Sequence, residues 1–99
     1  MNDIDPIPCS LCGRGFTRDA LTKHHCLPRQ KGGTEENVEL LCRQCHGMVH
    51  ATYTNGTLAV LYPTIEQLRR APELAAYLRW VRKQPATRRT RNKPRRRKL

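Results

Sequence analysis

The pattern of apolar and polar positions predicts two short strands and then a helix in the first half of the chain. Leu21 to Leu27 is predicted to form a strand, and Pro28 to Glu36 a loop. Val38 to Leu41 follows as a second short strand. A helix is predicted from Arg43 to about Tyr53, with Asn55-Gly56 as the signal that ends it.

Residues 57–84 are predicted to form a helical annex to this first half. Leu58 to Leu61 is apolar and predicts a strand or a turn. Thr64 is a suitable N-cap for the helix that follows it, and Pro72 suits the first turn of a further helix. In that last helix the apolar residues recur at three- and four-residue steps, at Leu74, Tyr77, Leu78 and Val81. We expect this stripe to cover the core; a dimer contact or a partner groove is the alternative.

The chain is short and has little apolar mass. It has 99 residues, of which 37% are hydrophobic, with one Trp, one Phe and three Tyr. Chains of this size usually need a metal or disulfide staple. We therefore predict a small α+β fold with a stapled core in residues 1–56, the annex 57–84 packed on it, and a tail, residues 85–99, that is disordered when free.

Positive charge is concentrated at the C-terminal end. Residues 1–81 have nine Lys/Arg against eight Asp/Glu, whereas residues 82–99 have ten Lys/Arg and no acidic residue. Such a tail favours a polyanion, and nucleic acid is preferred over an acidic membrane surface because the tail has almost no apolar residues to insert. No apolar run approaches the roughly 20 residues that span a bilayer.

Four of the five cysteines form two Cys-x2-Cys pairs, Cys9 with Cys12 and Cys42 with Cys45. The first residues lack the features of a secretory signal, so we expect a reducing, cytoplasmic location, where this spacing favours zinc over disulfides. Four thiolates close the tetrahedral shell of one Zn²⁺, which makes that metal structural. Cys26 has no partner in this scheme and is expected to be a small packed residue.

Histidines and an asparagine form a second candidate constellation. It consists of the pair His24-His25, Asn37, and His46-x3-His50, whose spacing places two imidazoles on one face of a helix. Each feature alone has a simpler explanation. The pair suits a solvated surface, the asparagine a turn or cap, and the helical spacing could arise by chance. Their joint presence between and beside the cysteine pairs favours a metal-dependent site.

In this order the features resemble the HNH endonuclease motif. The motif has a histidine pair, a loop with a proline and Gly32-Gly33, an asparagine before a short apolar strand, and Cys-x2-Cys-His opening a helix. The resemblance covers residues 9–53. The all-histidine arrangement is similar to the nuclease domains of bacterial colicin toxins. Residues 57–84 resemble, more weakly, the C-terminal part of small stand-alone bacterial HNH proteins.

The resemblance implies a fold and a role for each site residue. The fold would be a ββα-metal (His-Me finger) core stapled by the four-cysteine zinc. His25 would be the general base, and Asn37 would brace the loop and orient it. His24, His46 and His50 would bind the catalytic metal. Many family members have Asp at the position of His24, so the identity of the metal is open in this chain.

These residue types suit hydrolysis of a phosphodiester, which needs a base and charge neutralisation on the phosphate. Three imidazoles favour Zn, Ni, Co or Mn over Mg, which stays a candidate because phosphate and water oxygens complete its shell. The expected substrate is DNA, double-stranded by preference, cut to 5′-phosphate and 3′-hydroxyl ends as in the family. Cations near the motif and in the tail are candidate DNA contacts, with ordinary solvated charges as the alternative. They are Arg29, Lys31, Arg43, Arg88, Arg89, Arg91, Arg95, Arg96 and Arg97.

Two rival interpretations retain the zinc but not the catalysis. One is a non-catalytic zinc module that binds DNA with the same tail. The other is a single zinc finger of Cys9, Cys12, His46 and His50, but its 33-residue gap far exceeds the usual gap of about 12. The sequence leaves open DNA against RNA, strand preference, sequence specificity, the pathway and the oligomeric state, and it is compatible with a monomer.

Overall fold

A computed structural model of the chain describes residues 5–26, 38–86 and 97–99. The described part starts with a small antiparallel hairpin of β1 (Ile7–Pro8) and β2 (Gly15–Phe16). The sequence predicted a cysteine knuckle here but not the two strands that close it. The hairpin carries the first cysteine pair at its tip, so its geometry fixes where those two sulfur atoms lie.

Two glycines make this tight turn feasible. Gly13 has φ +82°, in the left-handed region that side chains with a Cβ rarely adopt. At Gly15, an added Cβ would lie 2.7 Å from Cβ of Pro6, which is closer than real Cβ contacts. Both positions therefore require glycine, one for its backbone conformation and the other for space.

The centre of the fold is a second antiparallel hairpin followed at once by a helix. Strand β3 (Leu21–His25) pairs with β4 (Val38–Cys42), in a register that places Leu21 opposite Cys42 and His25 opposite Val38. A short 3₁₀ turn, Arg18–Ala20, leads into β3. Helix α1 (Arg43–Thr52) begins directly after β4. The two predicted strands and the helix are confirmed.

The prediction for the segment after α1 is wrong. Asn55-Gly56 does not end a helix; it opens helix α2 (Asn55–Leu61), and Thr54 caps it by accepting a hydrogen bond from the Thr57 amide at 3.2 Å. A glycine that ends a helix usually adopts a left-handed conformation, but among the described residues only Gly13 has positive φ. The predicted strand or turn at Leu58 to Leu61 is thus helical.

The last two helices form as predicted. Thr64 caps α3 (Ile65–Arg69) by accepting a hydrogen bond from the Gln67 amide at 3.3 Å. A 3₁₀ turn, Pro72–Leu74, leads into α4 (Ala75–Val81). The predicted apolar stripe is buried, so it covers the core. No helix of the described part is both long and apolar enough to cross a membrane.

One continuous core joins the knuckles, the central hairpin and the annex. The buried apolar residues come from every large element, and four of them are the paired cysteines. They are Cys9, Leu11, Cys12, Leu21, Cys26, Leu41, Cys42, Cys45, Val49, Tyr53, Leu58, Ile65, Leu68, Ala71, Leu74, Tyr77, Leu78 and Val81. The sulfur cluster therefore lies inside the core rather than at its edge.

The last described residues contact the end of α1. The Leu99 amide donates to the Thr52 carbonyl at 2.9 Å, and the Leu99 carbonyl accepts from the Thr54 amide at 2.9 Å. Backbone hydrogen bonds therefore hold Leu99 against the end of α1. The rest of the predicted tail beyond residue 86, and the loop predicted at Pro28 to Glu36, lie outside the described residues.

Candidate metal centres and active site

The four paired cysteines converge on one point. Their Sγ atoms all lie within 4.8 Å of one another, and all four side chains are buried. Cys9 and Cys12 come from the β1–β2 hairpin, whereas Cys42 ends β4 and Cys45 lies in the first turn of α1. Four sulfur atoms at this spacing fit the tetrahedral shell of a structural metal such as zinc.

Backbone amides of the two knuckles point at the sulfur atoms. The Cys12 amide donates to Cys9 Sγ at 3.5 Å, and the Cys45 amide donates to Cys42 Sγ at 3.4 Å. Hydrogen bonding to Cys42 and Cys45 lowers the pKa of the Cys12 thiol below its ordinary value, and hydrogen bonding to Cys12 raises the pKa of Cys45. Four thiols this close together perturb one another's pKa, and a bound cation would stabilise all four as thiolates.

Arg14 connects the sulfur cluster to the end of the annex. Its Nε donates to Cys12 Sγ at 3.3 Å, and its Nη2 donates to Cys42 Sγ at 3.5 Å. From the same guanidinium, Nη1 donates to the backbone carbonyls of Gln84 and Pro85 at 3.5 and 3.1 Å. One cation therefore balances thiolate charge and holds the chain where the basic tail begins.

Tyr77 of α4 contacts the cluster from the other side. Its hydroxyl donates to Cys45 Sγ at 3.3 Å. Burial, then the nearby Cys45, raises the pKa of Tyr77, so the hydroxyl stays protonated and remains a donor. Sequence spacing gives no sign of this contact, because 32 positions separate the two residues.

Three imidazoles form a second cluster between β3 and α1. The ring centroid of His24 lies 5.4 Å from those of both His46 and His50, which lie 4.9 Å from each other. Their candidate ligand nitrogens lie within 4.8 Å of one another. The His24 side chain is 1% exposed, and neither ring nitrogen has a hydrogen-bond partner. Buried polar atoms normally have partners, so this ring fits a metal ligand.

Burial keeps these rings neutral, which is the form that can bind a metal. Loss of solvation, and then the charges of the neighbouring histidines, lowers the pKa of His24 to about 4. Burial also lowers the pKa of His46 and of His50. All three imidazoles are therefore available to a cation at neutral pH, without first losing a proton.

Thr22 sets the orientation of one of these rings. Its hydroxyl donates to the Leu41 carbonyl at 3.1 Å and lies 2.6 Å from Nδ1 of His46. A hydroxyl has a single proton, so the oxygen that donates to Leu41 must accept the second bond, from a protonated Nδ1. That tautomer leaves the Nε2 lone pair of His46 for a metal. Thr22 precedes His24 by two positions on β3, so the two share a face of the strand.

His25 lies apart from the three-imidazole cluster. It follows His24 on β3, and neighbouring side chains of a strand point to opposite faces. The ring is half-buried, and its charge contributes to lowering the pKa of His24 and of His46. The strand thus places an additional imidazole beside the cluster but directed differently.

Cys26 is part of the core, as predicted. It is 3% exposed, and burial, then the charges of Glu39 and Glu66, raises the pKa of its thiol to about 11. A thiol with this pKa is protonated near neutral pH and is a poor nucleophile.

The remaining predicted site residues divide between described and undescribed parts of the chain. Arg43 is exposed at the first position of α1, and Arg97 is exposed two residues before Leu99, which contacts the end of that helix. The other predicted positions lie outside the described residues: Arg29, Lys31, Asn37, Arg88, Arg89, Arg91, Arg95 and Arg96.

An antiparallel hairpin followed at once by a helix, with four thiols and three imidazoles gathered around it, defines a small α+β protein of the ββα-metal type. Residues 9–52 match the HNH endonuclease family, and the chain belongs to that family. It is 47% identical over 77 residues to the uncharacterized protein YisB of Bacillus subtilis (strain 168), covering 78% of this chain and 75% of YisB. No solved structure matches the chain significantly.

Proposed function

We propose that this protein is a metal-dependent endonuclease that hydrolyses phosphodiester bonds in DNA, with His25 as general base. The observation that supports this most strongly is the buried three-imidazole cluster with a fourth imidazole next to it in sequence. A structural role alone does not account for His24, whose two ring nitrogens are buried without partners. A second metal site beside the sulfur cluster does account for it.

In this proposal His24, His46 and His50 hold one divalent cation. Three nitrogen ligands favour Zn, Ni, Co or Mn over Mg. When bound, such a cation neutralises charge on the phosphate and on the departing oxygen. The strand and the helix hold the three rings in place before the substrate arrives, because each ring belongs to a regular element.

His25 accepts the proton of the attacking water. Histidine is the side chain that most often serves as a general base, and strand alternation directs the His25 ring to the side of β3 opposite His24. Asn37 directly precedes β4 in sequence, and β4 pairs with the strand that carries His25. We assign Asn37 the role of holding the base in orientation.

DNA is held mainly through its phosphates. Arg43 is exposed at the start of the helix that carries His46 and His50, and Arg97 is exposed two residues before Leu99. Arg29, Lys31 and the other tail arginines add to this positive charge. Contacts of this kind depend steeply on salt and carry little base preference, which suits double-stranded DNA cut by a monomer with low sequence specificity.

The two neighbouring histidines of β3 provide the test. In plasmid cleavage with Mg, Mn, Ni, Co or Zn, His25→Ala should lower the rate by about 10²-fold or more, the low end of what a general base supplies. Metal analysis should show two ions per wild-type chain and per His25→Ala chain. His24→Ala should retain only the ion of the sulfur cluster and should not cleave.

The two substitutions remove the same side chain from adjacent positions, so each is the control of the other. Equal cleavage by wild type and His25→Ala would remove His25 from the mechanism. A wild-type protein that binds a single ion and cuts no substrate would instead be a non-catalytic zinc module that binds DNA.

A further inference from the structure

The outward face of α4 combines an exposed tryptophan with several cations. Ala76, Arg79 and Trp80 lie at positions i, i+3 and i+4 of the helix, so they share one side of it, and all three are exposed. Arg82 and Lys83, in the turn that follows α4, are exposed as well. We call Arg79, Trp80, Arg82 and Lys83 the α4 face.

Trp80 is not used by the core. Its side chain is 39% exposed, although large aromatic side chains are usually the strongest contributors to a core. Its ring centroid lies 6.2 Å from that of Tyr77, at an interplanar angle of 47°. The indole therefore packs against the buried Tyr77 and is still partly exposed to solvent.

The charge of this face has a single sign. Glu73 is the last acidic residue of the sequence, and every charged residue after it is Lys or Arg. The Glu73 carboxylate, in the 3₁₀ turn before α4, is occupied by hydrogen bonds that it accepts from the hydroxyls of Tyr53 at 2.8 Å and Tyr62 at 3.4 Å. The α4 face is thus complementary to an anion.

The helix that carries the face is fixed to the rest of the fold. Tyr77 donates to the sulfur cluster through Cys45, as described above. Beyond the helix, the backbone carbonyls of Gln84 and Pro85 are held by Arg14. An exposed aromatic ring among cations on a rigid element offers a preformed surface, with little conformational entropy lost on binding.

We propose that the α4 face binds a nucleic-acid strand with unpaired bases. The Trp80 indole stacks on a base, and Arg79, Arg82 and Lys83 neutralise the flanking phosphates, which is how proteins hold single strands without reading sequence. The choice of nucleic acid over another anion rests on the proposed function. Within that function, the surface would hold a single-stranded or locally opened part of the substrate outside the catalytic centre.

The first experiment uses the fluorescence of Trp80, the only tryptophan of the chain. It is done in the His25→Ala protein without added divalent metal, so that binding is measured with cleavage suppressed. Addition of oligo(dT) should quench the emission strongly through stacking, whereas inorganic polyphosphate, which has the same charge but no bases, should not. Emission that stays unchanged while oligo(dT) saturates the protein, or equal quenching by polyphosphate, would overturn the proposal.

Substitutions at Trp80 separate stacking from simple packing. Trp80→Leu keeps an apolar side chain against Tyr77 and should weaken the binding of labelled oligo(dT) by about 5- to 100-fold in anisotropy titrations. Trp80→Phe restores a ring and should recover most of that loss. The same Trp80→Leu substitution should weaken the binding of a hairpin duplex much less than that of oligo(dT). Equal losses for the two nucleic acids, or none for oligo(dT), would contradict stacking on unpaired bases.

A matched pair of charge reversals tests the cations. Arg79→Glu should weaken oligo(dT) binding several-fold and reduce the salt slope by about 1, the value of one phosphate contact. Arg18→Glu makes the same change at an exposed arginine of the 3₁₀ turn before β3 and should have a smaller effect. Equal effects of the two would show that only net charge matters and would overturn the site.

The outcome does not depend on that of the proposed nuclease. Quenching and anisotropy report binding under conditions that suppress cleavage, so an inactive wild type could still bind through the α4 face. Conversely, if the wild-type protein cleaves DNA but its Trp80 fluorescence does not change with oligo(dT), only the proposal about the α4 face is refuted. The thermal midpoint and zinc content of each variant show whether it is folded.

Discussion

At the scale of single residues, the imidazole cluster depends on groups that never contact a metal. Thr22 lies 2.6 Å from Nδ1 of His46, and its own proton is committed to the Leu41 carbonyl. The ring must therefore present Nε2 to the cluster. Outer partners of this kind orient a ligand and select its tautomer, and their loss typically costs about 10–100-fold in metal affinity.

Thr22→Val keeps the shape of the side chain but removes the hydroxyl. We expect affinity for the exchangeable metal to fall by about 10–100-fold, because Nδ1 of His46 loses its acceptor and the tautomer is no longer fixed. Metal titration and the ¹⁵N resonances of the His46 ring measure the two effects. Thr22→Ser should preserve both, and a valine variant with unchanged affinity and a protonated Nδ1 would contradict this role.

Ligands are easier to predict from sequence than the groups that orient them. The paired cysteines and the pair His46 and His50 have spacings fixed by one turn or one helical repeat, so local geometry alone brings each pair together. The contact of Thr22 with His46 depends instead on how β3 packs against α1. The sequence analysis did not identify Thr22, and the available signal was its position two residues before His24, on the same strand face.

At the scale of elements, the annex is attached to the sulfur cluster through polar contacts as well as apolar packing. Tyr77 of α4 donates to Cys45 Sγ, and Arg14 holds the carbonyls that follow the helix. Occupancy of the cluster should therefore affect how firmly α4 packs. A hydrogen bond to a charged acceptor contributes about 1.5–3 kcal/mol, more than one between neutral groups.

Tyr77→Phe removes only the hydroxyl that donates to Cys45. In the zinc-loaded protein we expect a loss of about 1.5–3 kcal/mol in the free energy of unfolding in urea, and faster transfer of zinc to a chelator. Tyr62→Phe is the matched control. Its hydroxyl makes a 3.4 Å contact with Glu73 at the surface, so it should cost no more than about 0.5 kcal/mol. Equal losses in the free energy of unfolding for the two variants would mean that the hydrogen bond to Cys45 Sγ contributes no more than the surface contact of Tyr62.

The elements that the sequence predicts well are those with a strong local signal. Helix α1 follows a cysteine knuckle, and α3 follows a capping threonine. Helix α2 was missed because Asn55-Gly56 suits the end of one helix and the start of another equally well. The capping bond from Thr54 and the burial of Leu58 in the annex decided between them. The β1–β2 hairpin was missed because two-residue strands leave no pattern.

At the scale of the whole molecule, the core is small, and the cluster of paired cysteines lies inside it. Four of the buried apolar residues are the paired cysteines, which join the first hairpin, β4 and α1. Without a cation, four adjacent buried thiols must share protons among themselves. Binding of a structural zinc ion contributes about 10–16 kcal/mol to the folding of small domains. The net free energy of unfolding of native proteins is about 5–15 kcal/mol, so the contribution of the ion is as large as the whole net stability.

The two metal sites should therefore respond differently to chelation. A weak chelator should remove the ion held by the histidines and abolish cleavage, while the helical circular dichroism persists. A strong chelator that also empties the sulfur cluster should unfold the chain, lose the helical signal and shift Trp80 emission to the red. Restored zinc should reverse both changes. A zinc-free chain that still unfolds cooperatively would show that apolar packing alone is sufficient.

Cys42 has two roles at once, since its sulfur belongs to the cluster and also caps α1 by accepting from the Cys45 amide. The start of the helix that carries His46 and His50 therefore depends on the sulfur site. Replacing the four cysteines with larger apolar residues would also remove the N-cap of this helix. A variant without the sulfur cluster would therefore need a different capping side chain at position 42, such as Ser or Asp, to keep the start of α1.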